Sequence, residues 1–261
     1  MKFFQKLFKI KPISSSTIAY NTTRRELANY SILVFLSTLK KYTLTDISVL
    51  QKVAKINEWR DIMRKRKYKG SGRCSTAIAS LCFAIIEQVG MVLRTDLINP
   101  NNPQDTSSAR RALKTGNSKN AESFFSYALQ QNIITTNNDF LKAIYILFRN
   151  PVTHNLFPAH NLGVSQDSHN GLTNLVCTID GSNSLNINCL VLVISQTIEC
   201  LETDVTNQAN YHWVSTINDT LSLLRRAEEE NLRNQYSDFN LNNEYPGLQT
   251  ELRQLLPNFR F

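Results

Sequence analysis

The hexapeptide Arg149-Asn150-Pro151-Val152-Thr153-His154 puts a permanent cation, a neutral amide and a side chain that titrates near neutral pH into one short stretch. Arginine offers a planar fork that matches phosphate oxygens, and histidine takes or gives a proton at cellular pH. Together they suit work on a phosphodiester. The stretch follows the apolar segment Phe140 to Phe148, so a helix must deliver it. Pro151 lacks an amide proton, crowds the Leu147 carbonyl and disfavours the α conformation at Asn150, which predicts an end or kink there. On an unbroken helix residues five apart point about 140° away from each other; a break lets Arg149 and His154 converge. Local chemistry leaves a second reading open, in which Arg149 complements the helix C-terminal dipole and His154 sits in a turn.

An apolar helix closing on Arg, then a polar residue, then a His a few positions on resembles the signature of the HEPN superfamily, an α-helical group of nucleotide-binding proteins with many prokaryotic ribonuclease toxins. Here the match is Ile146-Leu147-Phe148-Arg149-Asn150 followed by His154, with Pro151 as a departure inside the motif. The resemblance covers about residues 73–205. It implies a metal-independent endoribonuclease, a toxin or phage-defence effector, whose two motifs face each other across a homodimer. His154 would activate the ribose 2′-hydroxyl or protonate the leaving oxygen, Arg149 would stabilise charge on the phosphate, and Asn150 would orient them. The products would be a 2′,3′-cyclic phosphate and a 5′-hydroxyl. No cofactor or metal is implied, and an antitoxin or regulatory protein is an expected partner. Because several HEPN proteins have lost catalysis, the resemblance also allows a noncatalytic dimeric module that binds a nucleotide, RNA or a protein.

The composition favours a polyanionic partner. Twenty-nine Lys plus Arg stand against 21 Asp plus Glu in 261 residues, a net charge of +8. RNA is the leading candidate, and an anionic membrane surface is the competitor. The densest basic run is Arg60, Arg64, Lys65, Arg66, Lys67, Lys69 and Arg73, with Tyr68 among them and Asp61 the only acid. Such a run can track an RNA backbone while Tyr68 stacks on a base; the other reading is a solvated helix end. Arg110, Arg111 and Lys114 are a weaker addition. Membrane docking would use Met1 to Ile10, where Phe3, Phe4, Leu7, Phe8 and Ile10 alternate with lysines. Those lysines leave no continuous apolar region of the signal-peptide kind, and no window reaches the run of about 18 apolar residues a spanning helix needs.

Other constellations match nothing. Cys74, Cys82, Cys177, Cys189 and Cys200 form no CxxC pair, which predicts reduced thiols in a core and a cytoplasmic protein. His154, His160 and His169 with Asp167 fit no zinc spacing, and there is no P-loop, GxGxxG or GxSxG. Glu228-Glu229-Glu230 after Arg225-Arg226 reads as an exposed helix with internal charge pairing.

Periodicity places these residues on a mainly helical, all-α frame resembling a HEPN bundle with a small β insert. Residues 1–70 are expected to form an accessory helical segment, 71–205 the core with its insert at about 160–188, and 206–261 a C-terminal extension. The accessory pair is a helix over Arg24 to Tyr42, facing inward through Leu27, Tyr30, Ser31, Val34, Phe35 and Leu39, then one from Thr45 with Leu50, Val53, Ile56 and Met63. Core helices are expected from Arg73, over Lys119 to Gln131, over Asp139 to Asn150 with Phe140, Ile144, Leu147 and Phe148 inward, and after Asn188 as N-cap. The expected strands are Leu162 to Gln166, Leu175 to Asp180 and Leu185 to Ile187, with a turn at Gly181-Ser182-Asn183-Ser184. Tyr211 to Asn234 is a further helix, and a short one lies near Leu248 to Leu256.

Overall fold

The apolar residues of the segment after Cys74 recur at positions 78, 82, 85, 86 and 89, a stripe broad enough to need neighbours on several sides. The computed structural model describes residues 32–63, 74–115, 117–149, 162–166, 174–179, 182–207 and 211–238. All belong to the unit Ser31–Phe261, the other unit of the chain being Met1–Tyr30. The fold is mainly α. Its helices are α1 (Ile32–Leu39), α2 (Thr45–Met63), α3 (Ser75–Val92), α4 (Ser107–Thr115), α5 (Asn117–Gln130), α6 (Asn138–Ile144), α7 (Ile187–Thr206) and α8 (Tyr211–Asp238), with strands β1 (Leu162–Ser165), β2 (Val176–Ile179) and β3 (Ser182–Asn186) before α7.

Helix α3 is the centre of the bundle, packed by α2, α5, α7, α8, β1 and the turn that ends α6. Ile78, Cys82, Phe83, Ile86 and Val89 are fully buried. Gly90 permits the closest of these contacts, since a Cβ there would overlap the Asn120 carbonyl oxygen of α5. Length and composition would let α3 cross a membrane, a test that core helices of soluble proteins also pass.

The expected helical pair at the N-terminal side is instead one continuous run from Ile32 to Met63, in which a π-helical turn, Lys40–Leu44, joins α1 to α2. Of the expected inward residues Leu39 is buried, Val34 and Val53 are exposed, and Leu27, Tyr30 and Ser31 lie outside the described residues; Ile32, Leu36, Ile47 and Ala54 are also buried. Both sides of these helices carry apolar residues, and the extra residue accommodated by the wide turn shifts the face of α2.

The sheet has the order β1-β3-β2, β1 running parallel and β2 antiparallel to β3. Ser182, Asn183 and Ser184 therefore belong to a strand rather than to a turn, pairing with Ile179, Thr178 and Cys177. The N-cap of α7 is Asn186, whose side chain accepts from the Cys189 amide, and not Asn188. Asn188 is used elsewhere. Its amide donates to the Gln166 carbonyl at 2.6 Å and accepts from Gln51 of α2 at 3.0 Å, while the Gln166 side chain donates to Ser75 at 3.1 Å. This chain of bonds pins the β insert to the first turn of α3.

Cys82 and Cys189 are buried and Cys74 and Cys200 half-buried, all four as free thiols. Burial pushes the Cys82 and Cys189 thiols up, as expected for inert core groups. Glu230 does not pair within its own helix: it accepts from Thr106 at 2.5 Å and stands 3.7 Å from Arg110, tying α8 to α4.

Candidate functional site

Helix α6 starts at Asn137, whose side chain accepts from the Phe140 amide at 2.7 Å. Leu141, Ile144, Tyr145 and Phe148 form its buried stripe at ideal helical spacing. Phe140 and Leu147, expected inside, are 44% and 48% exposed, and Ile146 is 49% exposed. The helix is thus apolar on two sides and only one is used by the core. Its last residues, Tyr145–Arg149, form a π-helical turn, a wider coil found often at functional sites.

Arg149 closes that turn. Its Nε donates to Oε1 of Glu87 on α3 at 2.7 Å, with the two side chains only 14% and 17% exposed. The Tyr145 hydroxyl donates to the same oxygen at 2.5 Å, and the Phe83 ring meets Tyr145 edge-on with centroids 5.9 Å apart. Burial by itself would weaken the hold of Arg149 on its proton; the hydrogen bond and charge of Glu87 outweigh it and keep the guanidinium above its ordinary value. The Tyr145 hydroxyl is pushed well above the usual phenol range, first by burial and then by its bond to Glu87. Arg149 is therefore a fixed, permanent cation. Anchoring at Nε sets the plane of the fork, whose far edge carries Nη1 and Nη2.

Arg149 thus lies at the C-terminal end of its own helix and also pairs with a carboxylate of another. Glu87 was missed by motif reasoning. A signal for it was present: it is the only charged residue in the 18 residues of α3, and a charge on a core helix calls for a partner.

The other expected site residues are distributed differently. Asn150, Pro151 and His154 lie outside the described residues, as do Arg64, Lys65, Arg66, Lys67, Tyr68, Lys69 and Arg73 and the Met1 to Ile10 segment. Arg60 is in α2. In sequence the basic run ends just before α3, whose N-cap Cys74 takes a left-handed backbone with φ 62°. Twelve residues of helix rise about 18 Å, so Ser75 and Glu87 mark two levels on the same rod. Arg110, Arg111 and Lys114 sit on α4, with Arg110 beside Glu230. Among the described residues no cluster of His, Cys, Asp and Glu could hold a metal ion.

Two recesses stand out among the described residues. One of about 470 Å³ is lined by Arg94, Asp96, Lys119, Tyr127 and Trp213 among others; its Arg94 is already bound to Asp96 and Asn120. The second, about 410 Å³, is lined by Phe140, Leu175 and Val193 together with Thr136, Asn174 and Gln196. Neither includes Arg149. No protein-family model, curated protein or solved structure matches the chain.

Proposed function

We propose that the protein is a metal-independent endoribonuclease of HEPN type, a toxin or phage-defence effector that acts as a homodimer. One observation carries the reading most: the arginine of the motif is a fixed, charged group at the end of an apolar helix, immediately before Asn150 and five positions before His154. In this mechanism His154 removes the proton from a ribose 2′-hydroxyl or delivers one to the leaving 5′-oxygen, and the 2′-oxygen attacks the adjacent phosphorus. The P–O5′ bond breaks, leaving a 2′,3′-cyclic phosphate and a 5′-hydroxyl. Arg149 stabilises the charge that builds on the phosphate, which needs a cation placed in advance. Exposed Phe140, Ile146 and Leu147 on the same helix supply an apolar surface suited to a second copy. The basic run from Arg60 to Arg73, with Tyr68, is the proposed RNA track.

The test is cleavage of pooled cellular RNA in excess EDTA by wild type, His154→Ala and Arg149→Ala, with chemical typing of the new ends. Cleavage by wild type alone, leaving cyclic-phosphate and 5′-hydroxyl ends, is the expected result. Full cleavage by both variants sinks the assignment.

A second reading is a noncatalytic HEPN-like dimer that binds a nucleotide, RNA or a partner protein. The joint anchoring of Tyr145 and Arg149 on Glu87 is the observation that suits it, since such a tie between helices also serves a purely structural role. Saturable RNA binding without turnover, unchanged by His154→Ala, would select this reading.

A further inference from the structure

We propose that Glu87 is a positioning residue that holds the Arg149 guanidinium at the angle and place where a scissile phosphate is met. The inference rests on the ribonuclease reading. Four observations converge on it. Glu87 stands on the most enclosed helix of the bundle, whose neighbours on several sides leave it little room to move. Its Oε1 receives two donors from one turn, Tyr145 hydroxyl at 2.5 Å and Arg149 Nε at 2.7 Å, so the carboxylate ties that turn to α3 at two points. The turn itself is π-helical, a coil whose regular bonding does less to set side-chain direction than a tertiary anchor does. The anchor is in turn held by the Phe83 ring against Tyr145. A long, flexible arginine becomes a pre-aimed one, which is what a charge-stabilising group requires.

A structural ion pair alone would make a different prediction from a positioning pair. The first matters to folding; the second matters to turnover once folding is secured. Steady-state cleavage of a short RNA and thermal melting should be measured for wild type, Glu87→Gln, Glu87→Asp, Tyr145→Phe and Arg149→Ala. Glu87→Gln keeps the shape but replaces the charge-assisted bonds that fix Arg149 and Tyr145 with weaker neutral ones, so the guanidinium is held less firmly. The expected result is a melting temperature near that of wild type, a kcat lower by about 10- to 100-fold and a KM within about threefold, as for a misplaced catalytic group. Glu87→Asp should recover part of the loss, and Tyr145→Phe should show a smaller fall in kcat alone.

Unchanged or raised kcat in Glu87→Gln, with Arg149→Ala inactive, overturns the positioning role and leaves the ribonuclease reading intact. A raised kcat would mark Glu87 as a neutraliser of Arg149. Should Glu87→Gln fail to fold, Tyr145→Phe decides in the same way, unchanged kcat being the adverse outcome. Absence of cleavage by wild type, or full cleavage by Arg149→Ala, removes the ribonuclease reading and this inference together.

Discussion

Arg94 and Arg149 both stand where a helix ends and both meet a carboxylate, but the carboxylates come from different levels of the structure. Arg94 takes Asp96, two residues along, through paired bonds of 3.0 and 2.8 Å, and reaches Asn120 with its other nitrogen. Asp96 is 61% exposed and Arg94 9%, so the pair is a local clasp with its acid in water and its base buried, and it closes α3. Arg149 takes Glu87, 62 residues away on the central helix, and both side chains are largely out of water. A local clasp forms as soon as its turn forms. The pair at Arg149 exists only when α3 and α6 are already packed, and it passes the rigidity of the core to one guanidinium.

The largest difference should appear on removing each acid. Glu87→Ala leaves a part-buried arginine and a buried phenol without their shared acceptor, and should cost about 2–3 kcal/mol in urea unfolding. Adding Arg149→Ala should give back part of that loss, since the unpaired charge goes with it. Equal costs for Glu87→Ala and Asp96→Ala would break the comparison. Tyr145→Phe should cost about 1 kcal/mol, the size of one hydrogen bond to a charged acceptor that retains a second partner. Asp96→Ala should cost about 1 kcal/mol, less than Glu87→Ala, because the acid is mostly in water and the buried Arg94 keeps its bond to Asn120.

Two pH effects sharpen the same contrast and have opposite signs. The Tyr145 hydroxyl is raised in the folded protein, so its contribution is complete below the unfolded phenol value of about 10 and is lost as pH rises through the folded one. An ultraviolet alkaline titration should show Tyr127 and Tyr145 both ionising late, and Tyr145→Phe should remove one of the two. The Asp96 carboxyl is lowered, chiefly by its hydrogen bond from Arg94, against a smaller opposing effect of burial. Its contribution is present above the unfolded value of about 3.9 and fades as pH falls through the folded one. Carboxyl shifts followed by NMR in acid should place Asp96 below the usual range, and Arg94→Ala should return it there.

How far the sequence could be read depended on whether an element uses one face or two. In α7 a single apolar stripe, Leu190, Val193, Ile194, Thr197, Ile198 and Leu201, was both readable and buried. In α6 two stripes compete, and burial selected Leu141, Ile144, Tyr145 and Phe148 over the set containing Phe140 and Leu147. The same ambiguity misdirected the faces of α1 and α2. Asn186 and Asn188 are equally good caps by type, and the end of β3 decided between them. At the candidate site Arg149 could be found from its motif, whereas Glu87 could be noticed only as a lone charge in an apolar helix.

The sequence by itself determined the mainly helical class, the central apolar helix and the placement of Arg149 at the end of a helix before Asn150 and His154. Those follow from periodicity and near-neighbour chemistry, which act over a few residues. Only the tertiary structure decided which apolar face of α6 turns inward, where the π-helical turns fall and that Glu87 holds Arg149. Each depends on partners distant along the chain, chosen by packing when several local solutions cost nearly the same.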